Sequence, residues 1–292
     1  MFLNNSIVKK TIFCAILLLS ALLVLPCITS EVSAQMGTIQ VAMCQVFSLA
    51  GDRSGNFVRI ENAIRQAKQA GADILCFPET VILGWVNPDA HKRAYPIPGK
   101  DSQRLCELAK EYQTYLCVGL AEKDGPNLYD SAVLIDDEGR ILLKHRKINI
   151  LTELMSPPYT PGKEVNVVET RFGRIGLLIC ADTFRDEILE QMAALKPDLL
   201  LVPYGWAAEE NKWPGHGKKL EKVISETAGR TAASVVGVDV VSRIAKGPWQ
   251  GRTFGGQSAA ADTNGKILVV AADRDRDIKL VSIKTSRRSL ND

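Results

Sequence analysis

The sequence lacks the residue patterns that hold metal ions or disulfide frameworks. Its three histidines show no metal-ligand spacing, and its seven cysteines include no C-x-x-C pair. Cys14 and Cys27 lie in the amino-terminal segment described below, so an odd number remains and at least one thiol stays unpaired within the chain. Cys44, Cys76 and Cys117 each lie within an apolar run, which is typical of buried, unreactive thiols.

A strong charge of either sign is also absent. The net charge is +3 with 24% charged residues, which is too close to neutral to indicate nucleic acid as a partner. We therefore interpret the basic tail formed by Lys284, Arg287 and Arg288 as a solvated chain end. The hydrophobic content of 46% is that of an ordinary globular protein.

The first 34 residues are interpreted as a signal peptide. Lys9 and Lys10 precede residues 11–28, which carry no charge, and the small-residue sequence Val-Ser-Ala follows at 32–34. A basic start, an apolar middle and a small-residue cleavage site predict a secreted or periplasmic protein. The apolar run is also close to the ~18 residues at which a membrane helix becomes possible, so an uncleaved membrane anchor is the alternative.

Residues 35–292 are predicted to form one α/β domain, because no low-complexity linker divides them. Early in this region, apolar runs alternate with stretches of helical periodicity, which favours a layered α/β fold. Later, Asp-x-x-Gly turns at 136–139 and 262–265 each separate two short apolar runs, as in β-hairpins. Their recurrence predicts two similar halves, with two sheets face to face and helices outside.

Two charged residues lie at the ends of predicted strands. Glu79 closes the apolar run at 73–79, and Lys147 ends a basic stretch after which the chain becomes apolar again. Such residues are more often solvated than functional, so neither is informative alone. Held at a rigid strand end, however, a carboxylate can have its pKa raised by burial and act as a general base.

Cys180 has a more informative context. It ends the apolar run at 174–180, and a stretch of helical character follows at 184–195. A thiol near a helix amino terminus experiences a partial positive charge that favours the thiolate, and the N–H of Ala181 could stabilise an oxyanion. Most cysteines are buried structural residues, but this position is the sheet edge at which open α/β sheets bind ligands.

Three motifs in a fixed order are more specific than any single residue. Phe-Pro-Glu-Thr at 77–80, His-Arg-Lys-Ile at 145–148 and Ile-Cys-Ala-Asp at 179–182 resemble the three motifs of the nitrilase (carbon–nitrogen hydrolase) superfamily. They occur in that family's order and at similar separations. Phe-Gly-Gly-Gln-Ser at 254–258 is also similar, and the resemblance extends over residues 38–282.

The resemblance implies an αββα four-layer sandwich that forms a homodimer with an αββα–αββα arrangement. It implies that Glu79 is the general base, that Lys147 stabilises the oxyanion and that Cys180 is the nucleophile. Glu153 is the candidate for a second glutamate found in many members, although its spacing from the lysine is a residue or two short. The implied partner is a small-molecule amide, and the chemistry requires no metal or organic cofactor.

Departures from the family pattern bear on the substrate. Ala181 follows the nucleophile where nitrilases usually have tryptophan, which favours amides or N-carbamoyl amides over nitriles. Asn149 and Asp239 stand where the family commonly has a histidine and an asparagine. We expect Ala181, Tyr204 and Trp206 to contribute to the substrate pocket, although the two aromatic residues could equally be packing residues.

Three other functions stay open at this point. A nitrilase would use the same triad, and an acyltransferase would pass the thioester to an amine instead of water. The related membrane N-acyltransferases have many spanning helices, whereas this chain has at most one such segment. An exported binding protein is the non-enzyme alternative, but binding alone has no need for a thiol, a lysine and a carboxylate at strand ends.

Export is a testable prediction of the sequence alone. Amino-terminal sequencing of the native protein is expected to begin near Gln35, because signal peptidase would cleave after Ala34. An intact Met1 on soluble cytosolic protein would contradict export, whereas an intact Met1 in the membrane fraction would support the anchor.

Overall fold

The computed structural model describes residues 35–287. The predicted signal peptide at 1–34 lies outside the described residues, and so does Arg288 of the basic tail. Within the described part, none of the helices is long and apolar enough to span a bilayer.

Strands dominate the described chain, with five α-helices between them. In chain order, the strands are β1 (Gln35–Gln45), β2 (Ile74–Cys76), β3 (Tyr115–Asp124), β4 (Asn127–Ile135), β5 (Ile141–Arg146), β6 (Val167–Thr170), β7 (Gly173–Leu177), β8 (Leu199–Pro203), β9 (Ala207–Ala208), β10 (Ser234–Val238), β11 (Val241–Arg243), β12 (Thr253–Gly255), β13 (Ala259–Ala261), β14 (Ile267–Val270) and β15 (Asp277–Arg287). The helices are α1 (Arg53–Gln69), α2 (Ala90–Arg93), α3 (Lys100–Glu111), α4 (Asp186–Ala194) and α5 (Gly215–Thr231). Short 3₁₀ turns lie at Thr152–Leu154, Cys180–Phe184 and Glu210–Lys212.

The strands form two six-stranded sheets with the same internal order. The first runs β15-β1-β2-β3-β4-β5, and the second runs β6-β7-β8-β10-β13-β14. In each sheet three neighbouring strands are parallel, namely β1-β2-β3 and β7-β8-β10, and the flanking strands pair antiparallel. The second half of the chain therefore repeats the first, which confirms the two similar halves predicted from the sequence. Strands β11, β12 and β9 form a small third sheet.

Side chains of the first sheet alternate between two hydrophobic cores, because successive residues of a strand point to opposite faces. In β1, Val41 and Met43 pack into the core that also contains Leu201 and Val236 of the second sheet. Ala42 lies between them in sequence and packs into the core beneath α1 and α3. Helix α5 contributes to the core of the second sheet. The layers are therefore helix, sheet, sheet and helix, which confirms the αββα sandwich.

The two Asp-x-x-Gly turns have the same hydrogen-bonding geometry. Asp136 accepts hydrogen bonds from the N–H groups of Glu138 and Arg140, at 3.0 and 2.8 Å. Asp262 accepts equivalent bonds from the residues two and four positions on, at 2.9 and 3.0 Å. Each turn ends on a glycine with positive φ, +81° at Gly139 and +80° at Gly265, a conformation that glycine adopts without steric cost. The hairpin prediction is confirmed at both positions.

The basic tail is an edge strand and not the solvated end expected from the sequence. Strand β15 pairs antiparallel with β1 along its whole length. Val281, Ile283 and Thr285 are buried, whereas Lys284 between them is exposed. In the sequence, an edge strand with lysine on its outer face looks the same as a solvated basic tail. Only the pairing with β1 shows that this segment is a strand.

Leu201 provides a test of the packing between the sheets. It is fully buried in β8, between Leu177 and Val236 of the neighbouring strands. Leu201→Ala is expected to reduce the free energy of unfolding by about 2–5 kcal/mol, because it removes buried methyl groups and leaves a cavity. Leu268→Ala in β14 is the matched control, because that side chain is 41% exposed, and it should change stability by less than about 1 kcal/mol. Urea denaturation of both variants checks this, and equal losses would contradict the two-sheet core.

Candidate active site

Glu79 is held in the fold by close backbone packing. It follows β2, and its N–H donates to the carbonyl oxygen of Tyr204 at 3.2 Å. The segment lies so close to β3 that a Cβ on Gly119 would come within 2.6 Å of the Glu79 Cα. Thr80 follows with φ of +43°, which is strained for a β-branched residue. The position of Glu79 therefore requires glycine at this point of β3. Only 1% of the Glu79 surface is exposed.

Lys147 is positioned by the pairing of β4 with β5. It immediately follows β5, and its N–H donates to the carbonyl oxygen of Asp130 at 2.8 Å. This bond continues the register in which Ser131 lies opposite Arg146. Asp130 is therefore the cross-strand neighbour of Lys147, and side chains in such pairs lie side by side.

Glu79 and Lys147 form a buried ion pair. The Lys147 Nζ lies 2.5 Å from Glu79 Oε1 and 3.6 Å from Asp130 Oδ2. Burial lowers the pKa of the Lys147 ammonium, but its interactions with Glu79, Cys180 and Asp130 outweigh burial and raise that pKa well above its ordinary value. The lysine is therefore a fixed positive charge inside the protein.

Cys180 begins a 3₁₀ turn and does not lie at the start of a long helix. Helix α4 begins at Asp186, so the expected helix amino terminus does not act directly on the thiol. Burial and the nearby Glu79 raise the pKa of the Cys180 thiol well above its ordinary value, and Lys147 only partly opposes them. The resting group is a protonated thiol, which lies 3.9 Å from the carbonyl oxygen of Gly205. Ionisation therefore needs a base, which is the role that the family resemblance implies for Glu79.

The turn that carries Cys180 is strained and firmly held. Its φ is +41°, a conformation that costs a residue with a side chain on the order of 1–3 kcal/mol. The Thr183 hydroxyl donates to the Cys180 carbonyl oxygen at 2.7 Å and lies 3.2 Å from the Tyr204 hydroxyl. These contacts hold the backbone at Cys180 in place.

Asp182 connects the lysine segment to the cysteine turn. Its Oδ1 accepts hydrogen bonds from the N–H groups of Ile148 and Asn149, at 2.8 and 2.9 Å. Its Oδ2 accepts from the N–H of Ile179 at 3.0 Å and from His145 Nε2 at 2.8 Å. One buried carboxylate thus holds the second and third sequence motifs together.

The three residues expected to line the substrate pocket differ in how deeply they are buried. Ala181 is fully buried, and its carbonyl oxygen accepts a hydrogen bond from the Asn149 side chain at 2.7 Å. Tyr204 is also fully buried and supports the cysteine turn from beneath. Trp206 is half-buried and stacks on His216, with 4.9 Å between the ring centroids, and its backbone N–H donates to Asp239 Oδ1 at 2.7 Å.

Glu153 is not brought to the cluster. It lies exposed in the 3₁₀ turn Thr152–Leu154, and Leu154 and Met155 are the residues that turn inward from this segment. Asp130, which was not among the residues expected at the site, is instead fully buried beside Lys147. An acidic residue next to the apolar run at 131–135 was the available signal, because aspartate is depleted in strands.

Two small cavities lie beside the charged cluster. One borders Asp130 and Lys147 and is lined mainly by apolar side chains, including Leu151, Met155 and Tyr159. The other borders Glu79 and extends toward Arg243 and Phe254. Trp85 lines both, and its ring lies against Gly205, where a Cβ would come within 2.6 Å of Trp85 Cδ1. Across residues 35–287, no group of three or more histidine, cysteine, aspartate or glutamate side chains could hold a metal ion.

A four-layer α/β sandwich that buries a carboxylate, an ammonium and a thiol in one cluster has the features of a cysteine-dependent hydrolase. Comparison with known proteins agrees, because residues 40–289 match the family model described as carbon–nitrogen hydrolase. This chain belongs to the carbon–nitrogen hydrolase family of the nitrilase superfamily, and it is a hydrolase acting on carbon–nitrogen bonds.

Relatives of this chain include two amidases. It is 30% identical over 257 residues to an (R)-stereoselective amidase from Pseudomonas sp., covering 86% of this chain and 88% of the relative. It is 28% identical over 270 residues to the mouse omega-amidase NIT2, covering 87% and 94%. Among solved structures, a carbon–nitrogen hydrolase from Helicobacter pylori G27 superimposes with a TM-score of 0.73 at 22% identity, covering 85% and 89%.

The carboxylate of Asp182 generates a prediction about pH. Burial raises its pKa, but the hydrogen bonds from His145 and Asn149 and the charge of Lys147 lower it to a net value below the ordinary one. A group with a lowered pKa stabilises the folded state fully above its unfolded pKa of about 3.9, and this stabilisation is lost as pH falls through the folded value.

Asp182→Asn is therefore expected to destabilise the protein at neutral pH by on the order of 2 kcal/mol and to flatten the decline in stability below about pH 4. Urea denaturation at several pH values measures both effects. Asp186→Asn is the matched control, because that side chain is 74% exposed and should change little. An unchanged acid slope in Asp182→Asn would show that Asp182 does not hold the motifs together as an ionised group.

Proposed function

We propose that the protein is an exported amidohydrolase that cleaves a non-peptide C–N bond, in an amide or an N-carbamoyl amide, through a thioester on Cys180. The observation that carries the proposal is the burial of Glu79, Lys147 and Cys180 in one electrostatically coupled cluster. An amide carbonyl is a poor electrophile, so its cleavage needs a strong nucleophile together with a charge that stabilises the oxyanion. These three side chains supply both.

In the first half of the reaction, Glu79 removes the proton from the Cys180 thiol as the sulfur attacks the carbonyl carbon. A base is required because the pKa of the buried thiol is raised. Negative charge develops on the carbonyl oxygen, where the ammonium of Lys147 and the N–H of Ala181 stabilise it. The C–N bond then breaks, and Glu79 returns its proton to the leaving nitrogen.

In the second half, water replaces the amine. Glu79 removes a proton from the water, whose oxygen attacks the thioester carbonyl, and Lys147 stabilises the second oxyanion. The C–S bond breaks, the carboxylic acid leaves, and the proton on Glu79 restores the thiol of Cys180. The two halves consume one water molecule and leave the protein unchanged.

The relatives support this chemistry. A mutant of the amidase from Nesterenkonia sp. AN1, with a TM-score of 0.71 at 22% identity and covering 85% of this chain and 90% of that chain, shows covalent addition of the acetamide moiety of fluoroacetamide at its active-site cysteine. That adduct belongs to the Nesterenkonia enzyme, and the thioester in the present protein is our inference.

The surroundings of the cluster favour a small substrate that is neutral near the reacting carbonyl. The cavity beside Lys147 is mainly apolar, and its one lysine is already paired with Glu79. Ala181 stands at the position where nitrilases usually have tryptophan after the nucleophile. This difference favours an amide substrate over a nitrile. Acyl transfer to an amine would use the same thioester, so the two reactions differ only in the acceptor. We further propose a homodimer, by analogy with the family.

Hydrolysis and its residues are tested together. Ammonia release is measured over a panel of amides, N-carbamoyl amino acids and nitriles, first for wild type. Cys180→Ala is then expected to abolish turnover of the best substrate, because no other group forms the thioester. Glu79→Gln should reduce kcat by about 10²–10⁴-fold, and Lys147→Ala by on the order of 10²–10³-fold. The losses should not add, because the residues act as one unit.

Cys106→Ala is the matched control for the nucleophile. This thiol lies half-buried in α3, away from the cluster, and its removal should leave turnover unchanged. If Cys180→Ala, checked free of wild-type contamination, retains more than a trace of activity, the thioester mechanism is wrong. Rapid product formation only in the presence of an added amine would assign acyl transfer instead.

A further inference from the structure

Asp130 is a buried acidic side chain with few partners. It lies in β4 with no exposed surface, and no N–H group of the described residues donates a hydrogen bond to either of its oxygens, although its carboxyl group lies close enough to Glu79 to interact with it. Glu79 Oε2, in the same cluster, is also buried without a partner. Buried carboxylates in folded proteins are almost always paired, because desolvation without compensation is costly. An unsatisfied carboxylate at this position therefore calls for a functional explanation.

The strand register places this carboxylate beside Lys147. The hydrogen bond from the Lys147 N–H to the Asp130 carbonyl oxygen makes the two residues cross-strand neighbours. Their side chains emerge on the same face, and Lys147 Nζ lies 3.6 Å from Asp130 Oδ2. Lys147 Nζ is therefore close to two carboxyl groups at once, those of Glu79 and Asp130.

The other charged and titratable groups around Asp130 come from several elements. Glu79 after β2 and Asp182 in the cysteine turn repel its negative charge, whereas Lys147 attracts it. Tyr159 and Cys180 also interact electrostatically with Asp130. Burial and Glu79 together raise the pKa of Asp130 well above its ordinary value. Of these groups, Lys147 is the one that favours a negative charge on Asp130.

We propose that Asp130 is a positioning residue that holds the ammonium of Lys147, together with Glu79, in the direction of the substrate carbonyl oxygen. The inference rests on the proposed function, since it assigns a second carboxylate to the same site. When Glu79 takes a proton from Cys180, it loses its negative charge and with it the repulsion that raises the pKa of Asp130. The carboxyl oxygen of Asp130 that lies 3.6 Å from Lys147 Nζ then keeps the ammonium in place. Glu153, the sequence candidate for a second glutamate, is exposed and lies outside the cluster.

Asp130→Asn tests the proposal, because asparagine keeps the size of the side chain and removes the charge. We expect kcat to fall on the order of 10–10²-fold with KM nearly unchanged, since the ammonium loses its orientation at the oxyanion. Combined with Lys147→Ala, the Asp130→Asn loss should almost disappear, because Asp130 acts through Lys147. Asp130→Ser also removes the charge without adding volume, and it replaces the asparagine variant if that variant does not fold.

A second measurement does not depend on any substrate. The rate of Cys180 alkylation by iodoacetamide is followed against pH in the wild type, Asp130→Asn and Asp130→Glu. A negative charge at Asp130 raises the pKa of the Cys180 thiol. Alkylation should therefore shift to lower pH in Asp130→Asn and stay near the wild-type profile in Asp130→Glu, which keeps the charge. A merely structural role would slow the reaction without moving its pH profile.

The outcomes separate this inference from the proposed function. Wild-type protein that hydrolyses no amide would overturn the proposed function, while the alkylation profile would still decide whether Asp130 acts on the cluster. Additive losses in the double variant, or an unmoved profile in Asp130→Asn, would overturn the role of Asp130. A loss in Glu153→Gln with none in Asp130→Asn would return the role to Glu153. Asp124→Asn, a 59% exposed carboxylate at the end of β3, is the matched surface control.

Discussion

The buried ion pair between Glu79 and Lys147 is the constraint on which the rest of the site depends. Removing two charges from water is expensive, and their attraction compensates only if the geometry is good. The two residues follow β2 and β5, which are separated in the sheet by β3 and β4. Glu79 must therefore reach across both intervening strands. Gly119 in β3 permits this approach, because it has no side chain to obstruct the Glu79 backbone, and Asp130 in β4 places a second carboxylate next to the ammonium.

The second sheet contributes the thiol to this charged pair. Cys180 follows β7, and its turn is attached to the first sheet through Asp182, which bonds the backbone directly after Lys147. The two halves of the chain have the same strand order, yet they perform different tasks at equivalent positions. Glu79 follows β2 and pairs with Lys147, whereas Tyr204 follows β8 and supports the cysteine turn, and a backbone hydrogen bond of 3.2 Å joins them. The repeated strand order therefore brings the ends of β2 and β8 together. The site arises because the side chains at these two ends differ.

Much of the fold was predictable because its signals are local. Apolar alternation marks the strands, helical periodicity marks α1, α3 and α5, and the Asp-x-x-Gly turns mark both hairpins. Two expectations were wrong for reasons that a local pattern does not contain. Strand β15 resembles a basic tail until it pairs with β1. Cys180 was expected to benefit from a helix amino terminus, but a 3₁₀ turn separates it from α4, and burial next to Glu79 raises its pKa instead.

By itself the sequence determined the layered α/β architecture, the order of the three motifs, and the identities of Glu79, Lys147 and Cys180 as candidates. The architecture follows from residue type and spacing along the chain, whereas the three candidates follow from the resemblance of their motifs to those of the nitrilase superfamily. The tertiary structure alone decided that Asp130 lies against Lys147 and that Glu153 faces solvent. The physical reason is that the burial of a carboxylate depends on strand register and sheet order. Asp130 and Lys147 are adjacent only because β4 pairs with β5 in a register that continues beyond Ser131 and Arg146.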